Sequence, residues 1–165
     1  MAARTHRTPG ARPAGRAAPP TLALVVQAAV ADPDLPRRPT LRRWASAALE
    51  RDAVVTLRFV GTREGRALNA RYRGRDYATN VLTFVYDDDV SLAGDIVLCA
   101  PVVLKEARAA HKTPAAHYAH LVIHGMLHLQ GYDHERDADA ARMEARETAL
   151  LQKLGYADPY VGDRS

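Results

Sequence analysis

One segment of the chain, TPAAHYAHLVIHGMLHLQG, constrains the fold more than any other because it predicts a single long helix. Thr113 and Pro114 start this helix, since proline favours the first helical position, and Gly131 ends it. His124 and His128 are four residues apart, so their imidazoles project from the same face about one turn apart. The segment therefore predicts a rigid helix that carries a two-histidine clamp for a metal ion.

A third histidine follows the predicted helix at a spacing that suits a metal site. Gly131 can adopt the left-handed conformation that ends a helix, and the chain can then reverse and return His134 as a third nitrogen ligand. Three protein ligands and an open position are typical of a catalytic zinc, whereas a structural zinc has four protein ligands. Nitrogen ligands also suit copper, nickel or iron, with zinc the usual metal for hydrolysis. We expect one Zn²⁺ per chain on His124, His128 and His134; the alternative is three ordinary helix and turn histidines.

Two further residues could support this site, and each has an ordinary structural alternative. Asp133 could accept a hydrogen bond that fixes an imidazole tautomer, or it could simply form the turn. His120 lies one turn before His124 on the same face. It could be a fourth ligand, a hydrogen-bonding neighbour of a ligand, or a histidine of the core.

Gly125 occupies the position where zinc proteases with the HExxH motif carry their catalytic glutamate. Hydrolysis remains possible without that carboxylate, because zinc alone lowers the pKa of its bound water to about 7. The substrate must then need less help from a base, or carry charge that other groups stabilise. An anionic phosphodiester attended by an arginine fits this requirement.

Hydrophobic periodicity and turn residues predict four strands and four more helices around the histidine helix. We expect strands at residues 21–30, 53–60, 81–86 and 96–100, the first of them buried, with a turn at 87–95. We expect helices at 41–51, 61–73, 101–111 and 135–154, with Thr40 and Thr62 as N-caps. Few strands early in the chain and helices concentrated late indicate an α+β fold, a small mixed four-stranded sheet covered by about five helices.

Composition separates a basic tail from a neutral domain. Residues 1–20 contain four arginines, four prolines and no acidic residue, and they lack the apolar core of a secretory signal. We expect a disordered tail, with an organelle transit peptide as the alternative. The whole chain has 23 basic and 19 acidic residues, so residues 21–165, expected to form a single domain, are formally neutral. Net charge therefore does not by itself indicate a nucleic-acid partner.

Cysteine use and hydropathy bear on the cellular location. Cys99 is the single cysteine and lies in an apolar run, which excludes an intramolecular disulfide and indicates a core residue. No stretch approaches the roughly 20 apolar residues that a transmembrane helix needs. We therefore expect a cytoplasmic protein without membrane association.

An arginine-rich segment, NARYRGRDYATNVLTF, leads into the third predicted strand. Its arginines, Arg71, Arg73 and Arg75, alternate with Tyr72 and Tyr77, and Tyr72 is expected to face inward from its helix. Guanidinium groups match phosphate oxygens in pairs, and tyrosine rings can stack on unpaired bases. The alternative is a solvated loop, so this segment alone is only weak evidence for RNA binding.

In combination the segments are recognisable. YRGRDYATNVLTF, AGDIVLC, AHYAHLVIHGMLHLQGYDH, MEARET and LGYADPY, in that order, closely resemble the YbeY family of bacterial rRNA maturation factors. The resemblance runs from about Leu68 to Tyr160. It implies a zinc-dependent endoribonuclease specific for single-stranded RNA, with a zincin-like metal helix. It also implies a role in 16S rRNA 3′-end maturation and ribosome quality control, with the 16S rRNA precursor and ribosomal particles or assembly factors as partners.

The resemblance also implies roles for individual residues. The metal histidines of the family fall on His124, His128 and His134, and its functionally important arginine falls on Arg73. Asp95, in the AGD motif, could orient Arg73 or a histidine. The attacking group stays open between a water and the RNA 2′-hydroxyl. The alternatives to a nuclease are a metalloprotease and a non-catalytic ribosome-assembly factor with a structural zinc.

Overall fold

The computed structural model describes residues 18–86 and 91–161, which form four strands and five helices. In chain order these are β1 (Leu22–Ala28), α1 (Arg38–Ala47), β2 (Ala53–Val60), α2 (Thr62–Arg73), β3 (Val81–Val85), β4 (Leu92–Cys99), α3 (Ala100–Ala109), α4 (Pro114–Leu129) and α5 (Asp137–Lys153). The strands form one mixed sheet in the order β1-β2-β4-β3, in which β3 runs antiparallel to β4 and the other pairs are parallel. The predicted α+β class is confirmed.

Part of the sequence prediction lies outside the described residues. This holds for residues 1–17 of the expected tail and for residues 87–90 of the expected turn. Across 18–86 and 91–161, none of the helices has the length and apolar character needed to cross a membrane.

The fourth strand begins earlier than predicted, at Leu92, so Gly94 and Asp95 lie in β4 and not in a turn. Packing explains the glycine. A Cβ at this position would lie 2.7 Å from the Leu129 side chain and 2.8 Å from the Phe84 carbonyl oxygen. Helix α4 therefore crosses the sheet at a point where only a glycine lets it approach the strand backbone this closely.

Both predicted N-caps are wrong. Thr40 lies inside α1, which begins at Arg38, and Thr62 is the first residue of α2 after the N-cap Gly61. Neither helix has a side-chain hydrogen bond that caps its start. In α1 the first turn accommodates Pro39, whose missing N–H has no helical partner at that position, so the helix starts before the threonine.

Strand β1 is an edge strand, where the sequence predicts a buried one. Leu24 alone among its residues is buried, and Val25 is 45% exposed. The carbonyl oxygens of Leu22 and Leu24 accept hydrogen bonds from the side chains of Arg42 and Arg38 in α1. These arginines satisfy backbone groups that an open edge would otherwise offer to another chain.

The main core lies between one face of the sheet and helices α1 and α4. Its largest fully buried side chains include Trp44 of α1, Phe59 of β2 and Tyr118 of α4. On the other face, α2 covers a smaller cluster that comprises Val60, Leu82, Val97 and the predicted core residue Cys99. Helix α4 has nine buried residues and contacts both β3 and β4. It is therefore a rigid base for the histidines on its remaining face.

Candidate active site

Helix α4 and the turn after it bring the three predicted histidines together. The Thr113 hydroxyl accepts a hydrogen bond from the backbone N–H of Ala116 at 3.1 Å and caps the helix. Gly131 has a φ of +101°, a left-handed conformation that reverses the chain. The ring centroids of His124 and His128 are 6.3 Å apart, and the His134 ring lies 5.4 and 5.8 Å from them.

The hydrogen bonds of the two helix histidines leave one nitrogen of each ring available for a metal ion. His124 Nδ1 lies 2.7 Å from a carboxylate oxygen of Glu147, and His128 Nδ1 lies 3.0 Å from the Tyr132 carbonyl oxygen. Because these oxygens accept, each Nδ1 carries the proton and each Nε2 keeps its lone pair. Burial, with the neighbouring His124 and His134, lowers the pKa of His128 and so favours the neutral imidazole that binds metals. The donor chemistry of these histidines therefore fits a zinc ion.

The histidine cluster is slightly wider than a closed zinc site. Two imidazoles on a tetrahedral zinc, each with a Zn–N distance of about 2.1 Å, have ring centroids roughly 5 Å apart. The corresponding distances here are 5.4, 5.8 and 6.3 Å, and within the described part of the chain no three His, Cys, Asp or Glu side chains are placed to hold a metal ion as they stand. His134 is exposed, so its side chain can rotate toward the two helix histidines, whereas the 6.3 Å separation of His124 and His128 does not involve His134.

Glu147 of α5 belongs to this site although it is not among the predicted site residues. Its side chain is fully buried, and its carboxylate oxygens bind His124 Nδ1 at 2.7 Å and His120 Nε2 at 2.8 Å. The Tyr160 hydroxyl donates to the same carboxylate. Burial acts to raise the pKa of Glu147, but the hydrogen bonds from His120, His124 and Tyr160 outweigh it and lower the pKa to about 2. Glu147 is thus an ionised group that orients His124.

Gly125 faces the sheet and is buried there. A Cβ at this position would lie 3.0 Å from two carbons of the Ile96 side chain in β4. Helix and strand are therefore in direct contact at this point, with no space for a longer side chain. The position that carries the base in zinc proteases is closed by packing in this protein.

We expect Gly125→Ala to lower the free energy of unfolding by about 1 kcal/mol. Alanine normally stabilises a helix interior by roughly 0.5–1 kcal/mol relative to glycine, and the sign reverses here because the added methyl group meets Ile96. In an Ile96→Ala background, which removes those carbons, Gly125→Ala should be stabilising. Urea denaturation of the four proteins measures both effects. A stabilising Gly125→Ala in the wild-type background would contradict the close contact.

The histidine cluster lines a cleft of about 480 Å³. The rest of its lining comes from the end of α2, from β3 and from the residues between them, and comprises Tyr72, Arg73, Thr79, Asn80, Val81, Leu82, Thr83 and Phe84. Arg73 reaches the cleft because α2 ends after it, at Gly74, whose φ of +66° turns the chain toward β3. Arg73 and the three histidines, which are far apart in the sequence, therefore share one cleft.

Asp133 and His120 contact the site in different ways. The Asp133 carboxylate accepts hydrogen bonds from the backbone N–H groups of His134 and Glu135 at 2.7 and 3.2 Å, which is the turn-forming alternative. His120 Nε2 contacts the Glu147 carboxylate, which also binds His124. His120 therefore shares the Glu147 carboxylate with the predicted ligand His124 and does not itself hydrogen-bond to that ligand.

Asp95 does not orient either of its expected partners. It accepts a hydrogen bond from the Tyr86 hydroxyl at 2.8 Å, instead of contacting Arg73 or a histidine. This contact raises the pKa of Tyr86, because the ionised carboxylate favours the protonated phenol. Asp95 thus supports the end of β3 next to the cleft.

The remaining candidates separate into residues at the cleft and residues outside it. Arg75 and Tyr77 are exposed and are not among the described residues that line the cleft. The Arg71 guanidinium lies over the Tyr72 ring, 5.3 Å from its centroid. Tyr72 does not face inward as predicted: it is 55% exposed and lines the cleft, while the buried positions of α2 are Gly65 and Asn69.

An α+β domain whose central helix presents histidines to a cleft that also holds an arginine has the construction of a hydrolytic enzyme for an anionic substrate. Comparison with known proteins identifies the family. The family model described as Endoribonuclease YbeY matches residues 38–155, a range that contains Arg73, the three histidines and Glu147. This chain belongs to the YbeY family, and its enzyme class is that of a hydrolytic endoribonuclease.

Individual relatives are similar over most of their length. Proteins named Endoribonuclease YbeY from Nitrosomonas europaea and Nitrosomonas eutropha are 57% and 54% identical to this chain, over 85% and 84% of it and 85% and 98% of their own length. The protein of the same name from Methylibium petroleiphilum is 56% identical over 88% of this chain and 99% of its own. The solution structure of TM1509 from Thermotoga maritima matches with a TM-score of 0.55 and 27% identity, over 87% of this chain and 92% of that one.

Proposed function

We propose that the protein is a zinc-dependent endoribonuclease that cuts single-stranded RNA. Its substrate would be the 16S rRNA precursor, cut in the cytoplasm during 3′-end maturation and ribosome quality control, with ribosomal particles or assembly factors as partners. The observation that carries the proposal is that three imidazoles and the Arg73 side chain line one cleft. An RNA phosphodiester is anionic, and cleavage builds further charge on it, so a site for it needs preorganised positive groups.

The proposed zinc ligands are His124, His128 and His134, a nitrogen donor set that suits this metal. Bound zinc would supply Lewis acidity, which polarises a phosphoryl oxygen or acidifies a water. Glu147 and the Tyr132 carbonyl hold the protons on the Nδ1 atoms of the two helix histidines, so that both Nε2 atoms are ready to bind. These two contacts therefore fix the tautomers of His124 and His128 without a bound metal ion.

Arg73 is the proposed phosphate-binding residue. Its guanidinium offers paired N–H donors that match two phosphate oxygens. Its place in the last turn of α2 fixes its backbone on a helix, so only the side chain has to adjust to the substrate. Charge that develops on the phosphate would be neutralised from this residue.

A peptide substrate is disfavoured by two features of the site. The position of the protease glutamate is Gly125, which packs against Ile96 and leaves no space for a carboxylate. Hydrolysis of a neutral peptide bond does not require an arginine beside the histidines, whereas cleavage of an anionic phosphodiester requires a positive group that stabilises its charge. Both features support RNA cleavage over the metalloprotease alternative.

The proposal is tested by metal analysis of the purified protein together with cleavage of a labelled single-stranded RNA and its duplex. We expect about one zinc per chain, loss of cleavage on chelation, recovery on zinc addition, and little cutting of the duplex. The end groups of the product identify the nucleophile, because a 2′,3′-cyclic phosphate arises from attack by the 2′-hydroxyl. Full activity after chelation and extensive dialysis would refute the metal mechanism.

Arg73→Ala is expected to lower kcat/KM for this RNA by roughly 100-fold, the effect of removing one group that stabilises transition-state charge. Arg75→Ala is the matched control, since Arg75 is exposed, lies two residues away and does not line the cleft. We expect Arg75→Ala to cost about threefold or less, from the general attraction of RNA to positive charge. Equal losses in the two variants would show that charge alone matters and would remove Arg73 from the site.

The rRNA part of the proposal is tested with the same variant in the organism that carries the gene. When the Arg73→Ala allele replaces the chromosomal copy, we expect 16S rRNA with an extended 3′ end to accumulate. Sequencing of rRNA ends measures the effect. If the purified variant does not cleave RNA but the cells that carry it have normal 16S rRNA ends, the 16S rRNA precursor is not the substrate. The proposed endoribonuclease activity would be unaffected by that result.

A further inference from the structure

Two aromatic residues of the cleft, Tyr72 of α2 and Phe84 of β3, pack edge to face with ring centroids 5.1 Å apart and planes at 71°. Both line the cleft that contains the three histidines. Tyr72 is nevertheless 55% exposed. A large aromatic ring left half in water inside a cleft is a surface that a ligand can cover with a gain in free energy.

The position of the Tyr72 ring is set by the elements that carry it. Tyr72 lies in the last turn of α2, where the buried Asn69 side chain donates a hydrogen bond to the Tyr77 carbonyl at 2.7 Å and ties the helix to the following loop. Phe84 lies in β3, which is paired along its length with β4. A ring placed by a helix and a strand loses little conformational entropy when a ligand binds.

Two arginines lie near this aromatic pair. The Arg71 guanidinium lies over the Tyr72 ring, 5.3 Å from its centroid, and Arg73 lines the cleft next to it. A ligand at Tyr72 in the cleft therefore meets an aromatic surface together with the positive charge of Arg73, while Arg71 adds positive charge at the Tyr72 ring. A nucleotide within a single strand has the matching parts, a flat base and an adjoining phosphate, and aromatic rings combined with positive groups are how proteins bind such strands.

We propose that Tyr72, supported by Phe84, is the stacking platform for one unpaired nucleobase whose adjoining phosphate is bound by Arg73. The inference rests on the proposed RNA-cleaving function and adds which part of the substrate is recognised. A base inside a duplex is covered on both faces and paired along its edge, so it reaches Tyr72 only after unstacking. The platform thus gives a physical reason for a preference for single-stranded RNA.

The test is equilibrium binding of a short single-stranded 2′-O-methyl oligonucleotide to the zinc-loaded protein, measured by fluorescence anisotropy. Tyr72→Ala is expected to raise Kd about tenfold, within the roughly 5- to 150-fold range for loss of one stacked base. Tyr72→Phe keeps the ring and should bind within about twofold of the wild type. Tyr77→Ala is the matched control: Tyr77 is 54% exposed, in the same segment and outside the cleft lining, and its loss should leave Kd unchanged.

An abasic nucleotide moved along the oligonucleotide identifies the partner of the ring. In the wild type, removal of the base at one position should raise Kd about tenfold. In Tyr72→Ala, removal of the same base should cause no further increase in Kd. Losses that add in the two backgrounds, or equal binding by wild type and Tyr72→Ala, would overturn the platform. RNA cleavage by the wild type would then still support the proposed function, whereas a wild type that neither binds nor cleaves single-stranded RNA overturns both.

Discussion

His128→Ala is expected to lower kcat/KM for cleavage of single-stranded RNA by roughly 1000-fold and to shift the melting temperature by no more than about 5 °C. His128 supplies one of three proposed zinc ligands, and a metal with two remaining histidines is held too weakly to stabilise charge on the phosphate. Helix α4 itself should persist, because alanine favours helices and nine of its residues are buried. Zinc content, kcat/KM and the melting temperature are to be measured on one preparation of the variant.

His111→Asn is the matched control for His128→Ala. His111 is exposed, lies two residues after the end of α3 and has a φ of +55°, a conformation that asparagine tolerates. We expect this variant to keep the zinc content and the activity of the wild type. Unfolding of His128→Ala together with loss of zinc would contradict the proposal and support a structural metal. Full activity of His128→Ala would exclude this histidine as a required ligand.

Glu147→Ala is expected to lower the free energy of unfolding by about 3–5 kcal/mol. The carboxylate is fully buried and accepts hydrogen bonds from His120 and His124 of α4. Alanine would leave both imidazoles without this acceptor and create a cavity between α4 and α5. Urea denaturation measures the loss, and a change below about 1 kcal/mol would show that the contacts of Glu147 do not hold these helices together.

Glu147→Gln separates the charge of this residue from its shape. The variant should fold, and its zinc affinity should fall by roughly 10- to 100-fold, as for other residues that orient a metal ligand. In the zinc-free wild type, a pKa lowered from 4.5 to about 2 stabilises the fold above pH 4.5, and about 3 kcal/mol of this is lost as the pH falls toward 2. Glu147→Gln should lack this part of the pH dependence. Parallel acid unfolding curves for the two proteins would contradict an ionised Glu147.

Helix α4 and the order of the other elements could be predicted because their signals are local. A capping threonine, a proline in the first turn and a glycine after the last turn act within a few residues, and the helix bounds follow from them. Two of the misplaced features depend on neighbours in space. Burial of β1 depends on its place at the sheet edge, and the start of β4 depends on its pairing with β2 from Leu92 onward.

Two residues of the site show what a sequence pattern can miss. Glu147 lies four residues after the buried Met143 and three before the buried Leu150, so it is an acidic residue on the core face of α5. This spacing could have marked it as a paired, buried carboxylate. For Tyr72 the sequence pattern is misleading in the opposite direction. Its helical spacing indicates burial, but the residue lines the cleft and is exposed.

By itself, the sequence determined the histidine helix and the glycine reversal that returns His134, because each of these depends on residues close together in the chain. It also determined the family to which the chain belongs, because the family's motifs follow one another in order along the chain. Only the tertiary structure decided which residues meet those histidines. The packing of α2, β3 and α5 around α4 brings Arg73, Tyr72 and Glu147 to them and keeps Arg75, Tyr77 and Asp95 away. Such contacts depend on how distant elements pack, and no local periodicity contains that information.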